Sequence, residues 1–528
     1  MERFGLGKER NHQKKNSQKG KDLKSSSRSK VLAGLILLGC SWGIGWERFH
    51  TYWEPQQPEI TTYAIIGHEL LKGRELYSDL WDHHPPAIYF SYAFSEALAG
   101  YGPYSIFILN LLTAFATLGA IFTAGFLYGG IAAGLWGAAF WALISGDMLL
   151  WADQPYPEAF LNALLSWVLV LLIWKQNKVF YQFKWGITGF LLFLGSLYEF
   201  SVFWFALLLA VVYLGLNRKN EKEKIDFLKE ALWLIGIPLA GWIVVFVYFL
   251  FLGRFEDFWG AVFSYHQYVI GEGLMDWNLY KIWPNFMVIG TPFLLMAATG
   301  FLRKDTQNSR PWIWLMVYWV WVLFEVNGST PETPVSYQTW LPPLVIGGVW
   351  GLWELADWFK TRTKTFAWAP GVLLLLFCFA HEWPFYQKWA VDWSRAKSGE
   401  KTVEAYDFAK NLDGLLRKNE NFYEWGGDTQ LYYTTRRDPP SGVFTSSPLS
   451  RGPLTDRLSL RVVSDLEFSK PDLFLFNRNA ANGNWDRNPV LIYVKTHYLP
   501  IRKIPVQGDM LFFARKGGSL ETRLKMLK

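Results

Sequence analysis

Long apolar runs separated by short polar stretches fill the first 383 positions. Runs of spanning length, or slightly short of it, lie near 31–47, 104–127, 129–147, 158–174, 231–252, 284–302, 311–326, 340–357 and 366–381. About 20 such residues carry a helix across the ~30 Å hydrocarbon core of a bilayer. The block 185–216 is too long for one helix and reads as two short ones. Residues 86–100, "PAIYFSYAFSEALAG", are shorter and broken by Ser91, Ser95 and Glu96, so hydropathy alone leaves them open. After Trp383 the periodicity changes. Residues 400–418 have the spacing of an amphipathic helix, and alternating stretches follow at 421–433, 472–477 and 508–516. Bounded by turn residues, these predict strands.

Positive charge settles the ambiguous run. Basic residues should stay on the cytoplasmic side. They cluster in the N-terminal tail, at Lys175/Lys178/Lys184, Arg218/Lys219/Lys222/Lys224, Arg303/Lys304/Arg310 and Lys360/Arg362/Lys364. All fall on one side only if 86–100 lies at the interface or re-enters. The expected fold is therefore mainly α: a polytopic membrane helical bundle of about eleven spans plus interfacial helices, with a small C-terminal α/β soluble domain. Its parts are a disordered basic cytoplasmic tail (1–30), a membrane domain (31–383) with an outer loop (48–103), and an extracytoplasmic α/β domain (400–516). The expected location is the inner or plasma membrane, N-terminus inside.

Composition agrees. Of 528 residues, 51% are hydrophobic and only 18% charged, below the quarter usual in soluble domains. Mean hydropathy is only +0.08, so the apolar residues are concentrated in blocks. The 30 Trp suit rings at the headgroup level. The net charge of +7 sits largely in the tail, which lacks the aromatic interleaving of a nucleic-acid surface, so no nucleic-acid partner is expected. Cys40 and Cys378 fall inside apolar runs, which indicates neither a disulfide framework nor a thiolate metal site.

Acids and aromatics gather on the outer side of this map. Pro58-Glu59 opens one helix there and Pro157-Glu158 another. Each alone is an ordinary helix start, with an acid complementing the dipole. Two at one membrane edge point further, since ionisable groups facing a bundle interior mark functional sites.

The stretch from Glu59 through "LLKG" to "LYSDLWDHHPPAIYFSY" resembles the GT-C membrane glycosyltransferases, in the branch of protein O-mannosyltransferases and lipid A aminoarabinose transferases. Close motif similarity covers about residues 59–90. Weaker echoes are "PEAFLNALL" (157–165), "SYQTWLPPL" (336–344) and "YEWGGDTQLYYTTRR" (423–437). Two positions depart from the family's pattern: Glu59 stands where Asp is usual, and His84 where Lys precedes the paired prolines.

The resemblance implies transfer of a sugar from a polyprenyl-phosphate donor to an acceptor glycan, lipid or protein at the outer face. Such chemistry needs a carboxylate base, groups that stabilise the departing phosphate, and a greasy slot for the prenyl chain. It assigns the base to Glu59, with Glu54 as the other acid to which the alignment can slip, and Glu158 as a second catalytic acid. His83 and His84 are implied at the donor phosphate, with Arg74 and Lys72 behind them. Asp82, Tyr63, Tyr337 and Gln338 are supporting residues. No cofactor is indicated beyond a divalent metal, for which Asp82, His83 and His84 are too close in sequence to suffice without a distant acid such as Glu158. The rival classes are a membrane transporter or flippase, and a non-catalytic scaffold of envelope glycan assembly. A transporter places charge at mid-span in corresponding halves. No such halves are visible.

Overall fold

The computed structural model describes residues 30–174, 178–217, 224–273, 279–303, 309–328, 334–362, 368–478, 487–501 and 510–526. The N-terminal tail before Lys30 and the basic positions Lys175, Arg218, Lys219, Lys222, Lys304 and Lys364 lie outside the described residues.

The apolar runs form helices. They are α1 (30–49), α2 (Pro58–Leu71), α3 (Ala87–Ala99), α4 (Pro103–Ile144), α5 (Pro157–Ile173), α6 (Lys178–Ser196) and α7 (Ser201–Asn217). There follow α8 (Lys224–Phe251), α9 (Phe255–Trp259), a π-helical turn (Gly260–Tyr265) and α10 (His266–Gly273). Then come α11 (Leu279–Arg303), α12 (Ser309–Gly328), α13 (Leu341–Arg362) and α14 (Ala369–Tyr386). Among the described residues, three helical stretches are long and apolar enough to cross a membrane: Pro103–Ile144, Asp226–Phe251 and Pro284–Leu302. Val244, Val247 and Phe251 of α8 and Leu373 and Leu376 of α14 remain exposed. Apolar surface of this extent suits lipid rather than water.

α4 is a helical hairpin rather than one rod. Gly129 and Gly130 leave helical dihedrals, Gly130 at φ +76, a conformation that costs glycine little. The two arms then pack closely enough for the Trp141 indole to donate to the Ala114 carbonyl at 3.0 Å. This matches the separate runs expected at 104–127 and 129–147. The 185–216 block likewise divides at Leu197–Phe200 into α6 and α7. The ambiguous run is α3, whose 13 residues reach about 20 Å at 1.5 Å per residue, short of a full crossing.

Beyond α14, α15 (Ala390–Ser398) and α16 (Glu400–Leu415) lead into a four-stranded sheet. Its strands are β1 (Phe422–Trp425), β2 (Leu473–Asn477), β3 (Tyr498–Pro500) and β4 (Met510–Arg515), ordered β1-β2-β4-β3. β1 runs parallel to β2, and β4 antiparallel to both its neighbours. Of the alternating stretch 421–433 only its first part is strand. Gly427, at φ +99, ends the extended run, and α17 (Gln430–Thr435) follows at once.

Two apolar cores result. One lies within the bundle of α4, α5, α7, α11, α12 and α13. The other is continuous from Ile60, Tyr63 and Tyr89 through Phe258 and Tyr265 to Phe422, Leu473 and Phe512. The sheet layer therefore shares its interior with the first loop.

Candidate active site

Local chemistry shapes the loop between α2 and α3. Pro58 presets the first helical φ, and Glu59 follows in the first turn. Ile60, Tyr63 and Ile66 bury the inner face of α2. The chain then turns through Tyr77, held at φ +68 and fully buried, whose hydroxyl donates to the His84 carbonyl at 2.8 Å. Pro85 disfavours helical dihedrals at His84, so the loop stays irregular until α3. Asp82 folds back over it: Oδ1 accepts from the His83 amide at 2.7 Å and lies 3.0 Å from His83 Nδ1 and 3.6 Å from His84 Nδ1. The Tyr63 hydroxyl sits 3.3 Å from His84 Nε2, its ring edge-on to the imidazole.

The charges interlock. Burial pushes the Asp82 carboxyl up, but the two imidazoles outweigh it and hold that group below the usual carboxylate range. Burial lowers His83, reinforced by the charge of His84. His84 is raised: burial opposes its charge, yet Asp82, Glu59 and Glu199 together win. The third imidazole, His266 at the start of α10, is lowered to about 4 by burial and then by His83 and His84. Of the three imidazoles, His84 is the one whose surroundings favour the charged form.

Glu59 is open to solvent although protein surrounds it, so it faces a cleft. Burial raises its pKa above the ordinary carboxylate value, and His84 only partly offsets this. Such a carboxylate is a better proton acceptor than an exposed one. Glu158, at the first turn of α5, feels the charges of Glu59, Glu325 and His84. One of its carboxylate oxygens is buried without a hydrogen-bond partner.

Sequence reasoning missed three members. Glu199, in the turn joining α6 to α7, is pushed up to about 7 by burial, with His84 opposing, and lies 4.0 Å from His266. Glu325, at the end of α12, adds another carboxylate beside it. Each is the sole charged residue of its apolar run, 185–216 and 311–326. That is a legible signal for intramembrane function. His266 carries no comparable mark.

An apolar groove of about 690 Å³ opens beside this cluster. Pro86 and Ala87 lie two and three residues beyond His84, Leu197 and Tyr198 precede Glu199, and Phe160 lies two residues beyond Glu158; all five line it. The groove runs on along Phe94, Leu112 and Val244. Its head is pinned where the Ala87 amide bonds the Leu197 carbonyl at 3.0 Å and Ser91 meets the Tyr198 hydroxyl at 2.6 Å. The segments that carry His84, Glu158 and Glu199 thus border a greasy slot.

Other expected residues are placed elsewhere. Lys72 and Arg74 lie past the far end of α2, some 20 Å along the helix from Glu59 by its rise. There both pair with Glu69, Lys72 at 3.0 Å and Arg74 at 2.9 Å, and Lys72 also with Asp438 at 2.5 Å. Glu54 is committed to Lys397, at 2.9 Å, and is not open to the cleft. Tyr337 and Gln338 are buried in a 3-10 turn; Gln338 donates to the Trp151 carbonyl at 2.9 Å, and Tyr337 packs on Phe286. The ligand atoms of Asp82, His83 and His84 all lie within 4.8 Å of one another. The fold-back of Asp82 gathers these three donors within one tight loop, to which a distant acid such as Glu158 is expected to add. His84 Nδ1, buried without a hydrogen-bond partner, fits such a role.

No family model matches the chain, and no curated protein matches it by sequence. Solved structures do. The chain is similar to ArnT of Cupriavidus metallidurans, solved bound to undecaprenyl phosphate, at 14% identity and a TM-score of 0.56, covering 93% of this chain and 98% of that one. It is also similar to the oligosaccharyltransferase AglB of Archaeoglobus fulgidus, solved with an inhibitory peptide and a dolichol-phosphate. That match has 10% identity and a TM-score of 0.52, over 92% of this chain and 74% of the other. The resemblance read from the first outer loop is borne out as a shared fold: this is a mainly helical membrane protein built like the GT-C glycosyltransferases.

Proposed function

We propose that the protein is a glycosyltransferase that moves a sugar from a polyprenyl-phosphate donor to an acceptor hydroxyl or phosphate at the outer face of the membrane. One juxtaposition carries this reading: chain neighbours of His84, Glu158 and Glu199 line an apolar groove of about 690 Å³, and Glu59 and Glu199 act on His84 as charges. A lipid phosphate is chemically two-part in the same way. The fold likeness supports it, because ArnT was solved with undecaprenyl phosphate and AglB with a dolichol-phosphate.

In this reading the prenyl chain lies along the groove and its phosphate meets His84, the charged imidazole. The acceptor oxygen attacks the anomeric carbon of the sugar. The bond from that carbon to the phosphate oxygen breaks, and its electron pair leaves with the polyprenyl phosphate. Glu59 takes the acceptor proton as the new bond forms. His84 stabilises the departing charge, with Asp82 and Tyr63 holding its ring. Glu158 and Glu199 tune the charge of the pocket. A divalent metal held by Asp82 and the neutral imidazoles of His83 and His84 would take the place of the His84 proton as the positive charge at the phosphate. Lys72 and Arg74 are left out, being spent on Glu69. The 400–516 segment, lying over α2, contributes the acceptor side: Thr429 bonds Thr61 at 2.7 Å and the Pro58 carbonyl at 2.6 Å, one residue from Glu59.

The test is turnover. Purified protein incubated with a panel of polyprenyl-phosphate sugars should release free lipid phosphate from at least one. Release from none of them returns the protein to the scaffold class.

A further inference from the structure

A second ionisable cluster lies apart from the groove, where α1, the end of α4 and the end of α14 meet. Asp147 is fully buried, and Oδ1 accepts from the Leu150 amide at 2.8 Å. Its Oδ2 lies 3.3 Å from His381 Nε2, which in turn lies 3.9 Å from Glu382 Oε1. The three ligand atoms are all within 4.8 Å of one another. Glu382 is fully buried, and neither carboxylate oxygen has a hydrogen-bond partner.

Nearby cations are already engaged. Arg48 pairs with Glu47 at 3.2 Å and spends its other donors on Asn110 and Ser145. Lys397 is held between Glu54 and Asp153, at 2.9 Å from each. Among the described residues, Asp147 and Glu382 thus lie against one another, with His381 beside both. Two buried carboxylates without compensating charge are costly. The spacing suggests what compensates. A tetrahedral zinc with ligands at 2.0–2.2 Å separates any two of them by about 3.4 Å, close to the distances here. One imidazole and two carboxylates are hard-to-intermediate donors that suit zinc or manganese.

We infer that Asp147, His381 and Glu382 form a divalent-cation site of the zinc type, distinct from the groove cluster. It clamps the end of α4 to the end of α14. All three ligands are buried or nearly so, and a water would complete the tetrahedron.

The test is zinc binding by the full chain. Protein stripped with a chelator is dialysed against zinc, and bound metal and melting temperature are measured. Because Asp82, His83 and His84 offer a second donor set, the comparison is made both in the native chain and in a His83→Ala/His84→Ala background. Adding His381→Ala and Glu382→Gln should remove one zinc per chain in both backgrounds and abolish the zinc-dependent rise in melting temperature. Glu382→Gln alone, near-isosteric and neutral, separates loss of metal from loss of fold. It should refold the stripped state normally yet respond weakly to zinc. Equal zinc content with and without the changes, or no zinc uptake by the native chain, overturns the site.

Discussion

Replacing Glu59 with Gln tests the proposed base with little structural disturbance. Glu59 is open to the cleft and interacts with His84 and Asp82 as charges rather than as hydrogen-bond partners. The amide keeps the size and loses the proton affinity, so stability should change by no more than about 0.5 kcal/mol. Turnover should fall by ~10²–10⁴, the usual share of a general base, or about 2.7–5.4 kcal/mol on the barrier. Donor affinity should fall only slightly, because Asp82 and Glu199 still support the charge of His84. The pH profile gives the independent check. Glu59 acts deprotonated and its pKa is raised, so activity climbs with pH through a value above that of an ordinary glutamate. His84 acts protonated and its pKa is also raised, so activity falls as pH rises through a value above that of an ordinary histidine. The assay is release of polyprenyl phosphate, alongside binding of the same lipid to the variant. Turnover within a factor of ten of the native protein, or an acid limb unchanged in Glu59→Gln, refutes the assignment.

Further outcomes follow from other contacts. His84→Lys, which fixes the positive charge, should retain turnover and move the alkaline limb to higher pH; an unmoved limb removes His84 from the phosphate. Ala116→Trp places a large ring in the groove and should raise KM for long-chain donors several-fold while sparing short ones, measured by steady-state kinetics. Lys397→Met leaves Glu54 and Asp153 as uncompensated buried carboxylates, and should cost about 3–5 kcal/mol, read as a lower melting temperature in detergent. Gly442→Ala would drive a Cβ into the Asp79 carbonyl oxygen and break the 3.0 Å bond from the Trp81 amide to the Gly442 carbonyl. It should lower turnover more than donor binding, because it shifts the histidine loop against the sheet layer.

What the sequence discloses here is what is local. Pro58-Glu59, Pro157-Glu158 and "WDHHPP" are helix starts and a tight loop, whose geometry follows from proline and from i to i+1 contacts. Alternation likewise found β2 and β4, and hydropathy found the α4 hairpin arms. What it hides is convergence. Glu199 and Glu325 are readable as lone acids in apolar runs, but nothing local says that α6, α7 and α12 bring them to His84. The same is true of Lys397, whose partners Glu54 and Asp153 are more than 240 residues away. The overreach at 421–433 has a local cause: the alternation continues past Gly426-Gly427, but a left-handed glycine cannot continue a strand.

The exchange of Lys for His before the paired prolines has a physical consequence of its own. A lysine there would carry its charge at any physiological pH. His84 carries a charge only because Asp82, Glu59 and Glu199 outweigh the cost of burying it. Its positive charge is therefore a property of the whole pocket, and neutralising any one acid weakens the grip on the phosphate as well as altering the base. This predicts non-additivity. The Glu199→Gln and Asp82→Asn changes, each placed on a different element, should each lower the pKa read from the alkaline limb. Combined with His84→Lys, whose charge needs no such support, they should lose most of that effect. Additive losses in the lysine background would mean that the acids act on something other than His84.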